Sequence, residues 1–208
     1  MQPDREKLKK EQTELSKKII TTDQLEKINL YAGVDVAYSD DTAFCAIVVC
    51  NREMEVIEEK TAVADVKIPY MPGYLFYREG PIILEAFQKI ENRPDVILCG
   101  FNGILHPRRL GAASHLGLVL DIPTIGIAKN LMCGKLDGDA VVMDKEVRGT
   151  ALETKAHAKP IFISPGHKIS LKKSVEIVRK CMRNPHKLPE PLHLAHQKAK
   201  QEKNLVKD

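Results

Sequence analysis

The chain contains no tryptophan, and aromatic residues make up only 5% of its 208 positions. No apolar stretch approaches the roughly 20 residues of a membrane span, and no secretory apolar segment stands at the N-terminus. The expectation is a cytoplasmic protein with no membrane partner. A large charge of one sign is also missing: 32 Lys plus Arg against 28 Asp plus Glu give +4, which permits a polyanionic partner without requiring one. The cysteines Cys45, Cys50, Cys99, Cys133 and Cys181 are odd in number and have no close paired spacing. They read as reduced core residues, not as a disulfide framework. No internal repeat or low-complexity segment is seen. At 43% apolar the chain has enough material for one core. The expected organisation is a single domain over 1–208, with an N-terminal helical extension over 1–28 and a basic C-terminal tail over 198–208.

The stretch from Asp95 to Asn130 organises the rest. Val96 to Cys99 is a short apolar run typical of a strand buried on both faces, and Gly100 to Gly103 then opens the backbone. His106, Arg108 and Arg109 follow on a turn or at the start of the next helix. Cationic side chains and free backbone N–H groups there can receive a phosphate, and a solvated surface turn is the plainer alternative. Upstream, the charged segment from Pro3 to Ile28 carries Leu8, Leu15, Ile19 and Ile20 on about one helical face, which predicts one or two amphipathic helices. Thr22 and Asp23 offer an N-cap for a short second one. Three strand patterns begin at Leu30, separated by the turn residues Ser39-Asp40-Asp41 and Asn51-Arg52-Glu53. Short turns imply antiparallel neighbours, so the expected fold is a mixed α/β sheet: three antiparallel strands, then parallel ones, flanked by helices.

Asp35 lies inside Gly33-Val34-Asp35-Val36-Ala37, where a carboxylate is costly unless it is paired or holds a cation. The segment from Pro69 to Pro81 gathers three of the five tyrosines, Tyr70, Tyr74 and Tyr77, around Pro72 and Gly73. Such a rigid aromatic loop can cap a sheet edge or act as a wedge or stacking platform for bases. Glu79 suits the N-terminus of a helix running to about Glu91. Beyond Asn130, the polar segment Lys135 to Asp144 contains an Asp137-Gly138 turn, and strands are possible over Lys145–Ala151 and Pro160–Ser164. Ser164 to His167 reads as a tight turn before a helix that Ser170 caps and that reaches about Met182. After Pro185, Pro189 and Pro191 a last helix starts near Leu192. His193 and His196 stand three apart on it, without the further ligand that a zinc site would need.

Five segments, in this order, together resemble the endonuclease V family: PYMPGYLFYRE, HPRRLGAASHLGL, IPTIGIAK, SPGHKIS and PEPLHLAH. The resemblance runs from about Leu30 to Gln197. It implies a ribonuclease-H-like fold and hydrolysis of a phosphodiester bond 3′ to a deaminated base, chiefly inosine, in DNA or RNA. The implied cofactor is magnesium, with manganese able to substitute, and the implied task is DNA repair. By the same resemblance Asp35 and Glu79 look like metal-ligating carboxylates, and Lys129 and His196 join them as catalytic residues. Tyr70, with Pro72 and Gly73, matches the wedge that enters the gap left by an extruded base, and Gly103, His106 and Arg108 match nucleic-acid-binding positions. The chain departs from the family where Asp-Gly-x-Gly is expected, because Gly100-Phe101-Asn102-Gly103 stands there instead. A second aspartate ligand is therefore missing, and Phe101 adds bulk where the family binds the flipped base. Asn102, two residues on, offers an amide oxygen as a substitute ligand. Three functions follow from these residues: a working nuclease, a homologue that binds such nucleic acid without efficient cleavage, and a structural paralogue.

Overall fold

The structure, a computed structural model, describes residues 4–155 and 158–205. Pro3, where the expected N-terminal helical segment starts, and residues 206–208 of the expected tail lie outside the described residues. The three expected antiparallel strands are β1 (Tyr31–Ser39), β2 (Thr42–Cys50) and β3 (Val56–Asp65). Helix α2 (Leu75–Gln88) leads into β4 (Val96–Cys99), and α3 (Ala112–Leu120) leads into β5 (Thr124–Ala128). Strands β1, β4 and β5 are mutually parallel. A second antiparallel run follows, with β6 (Lys135–Asp137), β7 (Ala140–Met143), β8 (Glu146–Leu152) and β9 (Ile161–His167). One nine-stranded sheet results, in the order β3-β2-β1-β4-β5-β9-β8-β7-β6.

Helices cover both faces because residues alternate along each strand. Ala32 and Val34 of β1 face a core with Ile83 of α2 and Leu116 of α3. Tyr31, Leu98, Ile125 and Ile163 face the opposite core, with Ile177 of α4 (Leu171–Lys180) and Leu192 of α5 (Glu190–Leu205). Helix α5 crosses β1 so closely that a Cβ on Gly33 would collide with the Pro191 carbonyl. That close crossing brings His196, five residues on, over Asp35.

Several expectations change. Helix α1 (Arg5–Ser16) forms, capped by Asp4, but no helix starts at Thr22-Asp23. Asp23 instead accepts bonds from Ser170 N (2.7 Å) and Oγ (3.1 Å), satisfying a free N–H at the start of α4. Ser170 caps α4 as expected, its hydroxyl accepting from Lys173 N. The polar segment from Lys135 pairs as a β6–β7 hairpin, closed at Asp137-Gly138 with Gly138 at φ 58°. Ser164 to His167 is strand, not turn. The β5–β9 register slips between Thr124↔His167 and Ile125↔Pro165, which makes Gly166 a bulge, and β8 pairs no further than Ile163. Pro165 therefore has no ladder partner on that side to disappoint. Helix α2 begins four residues before Glu79, so Glu79 is interior to it and caps nothing. The lysines from Lys198 continue α5 to Leu205, where Lys198 pairs with Glu59 and Glu202, and leave no free tail over those residues.

Candidate active site

Three adjacent parallel strands place their carboxyl ends side by side, and ligands in open α/β sheets bind in that position. Asp35 lies in the middle of β1, one residue beyond the part that pairs with β4, while Gly100 directly follows β4 and Lys129 directly follows β5. The Gly100 N–H donates to Val34 O at 3.0 Å, which sets position 100 beside Asp35. His196 closes the group from α5. Its Nδ1 lies 2.5 Å from Asp35 Oδ2, and its Nε2 lies 3.4 Å from Lys129 Nζ. Since the Lys129 ammonium can only donate, the ring accepts at Nε2 and gives its Nδ1 proton to Asp35. These residues line a cleft of about 380 Å³, with Gly100, Phe101 and Asn102 on its wall.

Glu79 comes from the buried stripe of α2, where Phe76, Ile83 and Ala86 are its apolar companions. It is 4% exposed. Oε1 accepts from the Tyr38 hydroxyl at 2.7 Å, whereas Oε2 is buried with no partner. Burial raises its carboxyl to about 8, and the Asp35 charge adds to the rise against the opposing Tyr38 bond. A carboxylate on a helix's core stripe is a readable signal, because burial there disfavours its charge. Asn102 lies with Gly100 in the loop after β4, so the two do not share a strand face. Its Oδ1 is likewise buried and unpartnered, and its Nδ2 is 3.8 Å from Met132 Sδ.

Gly100 supplies no donor, and the space is already taken. A Cβ there would lie against Asp35 Oδ1, so the Asp35 carboxylate leans over the bare backbone. Phe101 is packed in the core beneath α2 and α3 and lines the cleft. It is not among the residues around the smaller neighbouring pocket, so its bulk does not fill that pocket.

This second pocket, of about 100 Å³, opens beside the aromatic loop and is lined by Tyr70, Phe76, Asn102, His106, Leu110 and Met132, among others. Tyr70 is 65% exposed at its rim. Met71 to Tyr74 form a type II turn: Tyr74 N donates to Met71 O at 3.0 Å, Pro72 takes the second position, and Gly73 has φ 80° at the third. The Gly73 carbonyl accepts from Arg108 Nη2 (2.8 Å), His106 Nε2 (3.0 Å) and Gln12 Nε2 (3.0 Å). His106 Nδ1 accepts from Arg108 N at 3.1 Å, so the ring is the neutral Nε2–H tautomer. Burial and the neighbouring Arg108 hold it uncharged, with a pKa lowered to about 4. Arg108 also donates Nε to Gln12 Oε1 at 2.5 Å and lies over the Tyr74 ring. The arginines expected to receive phosphate are thus both bonded to groups of the protein itself, since Arg109 forms a bidentate, half-exposed pair with Glu146. Gly103 packs against the backbone of β9 and donates its N–H to Ser164 Oγ at 2.9 Å.

Sequence reading missed Gln12, Tyr38 and Met132. For Gln12 a signal existed, because it falls with Leu8 and Leu15 on the apolar stripe of α1.

The family model for endonuclease V matches residues 13–197. The chain belongs to the endonuclease V family. The endonuclease V of Dictyoglomus thermophilum is 42% identical over 194 residues, covering 89% of this chain and 85% of that one. The crystal structure of Bacillus subtilis endonuclease V superposes with a TM-score of 0.91 at 32% identity, covering 99% of this chain and 94% of that one. Ciona intestinalis endonuclease V, solved with a 24mer DNA containing an inosine followed by a ribo-adenosine, has a TM-score of 0.85 at 30% identity, covering 96% and 98%. The mixed sheet and its helices therefore have the architecture of endonuclease V structures, as the sequence segments imply.

Proposed function

We propose that this chain is a cation-dependent endonuclease that recognises deaminated bases, chiefly inosine, in DNA or RNA and hydrolyses the phosphodiester bond on the 3′ side. Its setting is DNA repair in the cytoplasm. The meeting of Asp35, Lys129 and His196 in one cleft, which shares Asn102 with a small pocket rimmed by the exposed Tyr70, carries this reading. The residues fit a magnesium or manganese ion through Glu79 Oε2, a buried oxygen with no partner, and Asp35 Oδ1, which overhangs Gly100. Asn102 Oδ1 is the further neutral oxygen on offer. Among the described residues no three His, Cys, Asp or Glu side chains converge. Such a donor set suits a hard cation that keeps waters and takes phosphate oxygens from the substrate. When bound, this cation neutralises phosphate charge and acidifies water.

The protein's own groups supply the rest. Asp35 holds the His196 ring by its Nδ1 proton, which directs Nε2 toward Lys129 and the cleft, where it can move a proton. The Lys129 ammonium at the end of β5 places positive charge opposite a phosphate in the cleft. Tyr70 at the pocket rim stacks in the gap left by the extruded base, and Met132, 41% exposed, flanks the same opening.

Gly100 favours a second reading, a homologue that binds such strands and cleaves them inefficiently, because one expected ligand is absent. One experiment separates the two. End-labelled single strands of DNA and RNA carrying one inosine are incubated with magnesium or manganese, with binding measured on the same strands. Cation-dependent cleavage 3′ to the inosine is expected. In Asp35→Ala it should fall by about 1,000-fold, the order of losing a main electrostatic group. Inosine-preferring binding without a cut supports the second reading, and neither binding nor cutting refutes both.

A further inference from the structure

We infer that Gln12, on the N-terminal helix, is a positioning residue for lesion recognition, because it locks the turn that presents Tyr70. The inference rests on the reading of Tyr70 as the stacking wedge. A carbonyl oxygen has two lone pairs, yet Gly73 O receives three donors, from three separate side chains. Gln12 donates to the carbonyl and accepts from Arg108 Nε, so it holds the guanidinium itself, whereas His106 bonds the same carbonyl but only the Arg108 backbone N–H. Without it, Arg108 loses the bond that aims its guanidinium at the turn. Gln12 is 1% exposed although its helix is otherwise charged and solvated, so the carboxamide is buried for this contact. Gly73 has no room for an alternative, since a Cβ there would sit 2.9 Å from Arg108 Nη2 and 3.3 Å from His106 Nε2. The locked carbonyl stands close along the chain to Tyr70, whose own side chain is largely in solvent. The orientation of the wedge is therefore set at the turn, before any strand binds.

The absence of native tryptophan makes the test direct, because Tyr70→Trp introduces a sole indole fluorophore at the wedge. In that background Gln12→Ala is compared with Asp4→Ala, which removes the α1 cap without touching the turn. In the free protein, Gln12→Ala should lower the anisotropy of the introduced indole and Asp4→Ala should not. With inosine strands, Gln12→Ala should reduce the preference over the undamaged strand by about tenfold, while affinity for the undamaged strand stays level. Gln12→Glu, which can accept from Arg108 but cannot donate to Gly73 O, should not restore the preference. Unchanged anisotropy and preference in Gln12→Ala overturn the inference. So do equal losses in Asp4→Ala at matched stability, which would mean that α1 acts only through the fold. If the indole loosens in Gln12→Ala while the parent protein shows no inosine preference, the functional reading fails and the positioning role stands.

Discussion

The turn beneath Tyr70 and the cleft around Asp35 lie next to each other and share Asn102 on their walls, yet their polar groups are in opposite states. At the turn every partner is internal: Gly73 O has three donors, His106 uses both ring nitrogens, and Arg108 divides its guanidinium between Gln12 and Gly73. On the other side, Asn102 Oδ1 on the cleft wall and Glu79 Oε2 on the core stripe of α2 are buried without a hydrogen-bond partner. Native proteins leave few buried polar atoms unsatisfied, since each carries a desolvation penalty of about 1–3 kcal/mol. A saturated cluster is a device for holding shape. The unsatisfied oxygens support the proposed chemistry of the cleft, as the saturated turn supports the proposed positioning role.

The contrast breaks most visibly at Glu79. Its unfolded carboxyl releases a proton near 4.5 and its folded carboxyl near 8. Between those values the folded state holds the extra proton, so this group's contribution to stability is complete below 4.5 and lost as pH rises to 8. Glu79→Gln should remove that slope and stabilise the cation-free protein at pH 9, by up to roughly several kcal/mol. Denaturant midpoints at about pH 5 and pH 9 measure it, and parallel losses in both proteins would contradict the assignment. Magnesium should raise the melting temperature of the parent at the higher pH and leave the variant unmoved.

At the saturated side, Gly73→Ala meets a positive φ and the crowding donors together. Its expected penalty is about 1–3 kcal/mol at any pH, read by the same midpoints. A loss below about 0.5 kcal/mol would mean that the cluster adapts and is not rigid. The smallest expected effect sharpens the cleft itself. Gly100→Asp adds a carboxylate where Asp35 Oδ1 now leans, so the cation-free protein should lose about 1 kcal/mol through like-charge crowding. Cation-dependent cleavage of an inosine strand should rise by about tenfold, equal to about 1.4 kcal/mol. No gain in rate would locate the deficit in the displacement of Asp35 and not in the missing ligand.

Much of this was legible in the residues. The three strand runs of β1 to β3 with their short turns, the Val96–Cys99 strand and the Ser170 cap are local signals, and each appears as read. Asp35 was conspicuous because a carboxylate inside an apolar strand demands an explanation. Glu79 was found by family resemblance, while the local reading made it a helix cap. Only the true start of α2 at Leu75 shows that it belongs to the core stripe. Ser164 to His167 carries every local mark of a turn and is strand, because β5 pairs around the bulge and Ile104 N donates to Pro165 O.

By itself, the order of short-turn strands followed by alternating strands and helices determined the mixed sheet, and with it the edge where Asp35 passes the end of β4 and Lys129 follows β5. Period and turn chemistry act over a few residues, so they survive in a linear reading. Tertiary structure alone decided which polar atoms were satisfied. Gln12 meets Gly73 across 61 positions and His196 meets Asp35 across 161, and hydrogen bonding over such separations follows from packing and not from local pattern. It is for that reason that Arg108 turned inward to Gln12 and Gly73, while Glu79 Oε2 was left without a partner.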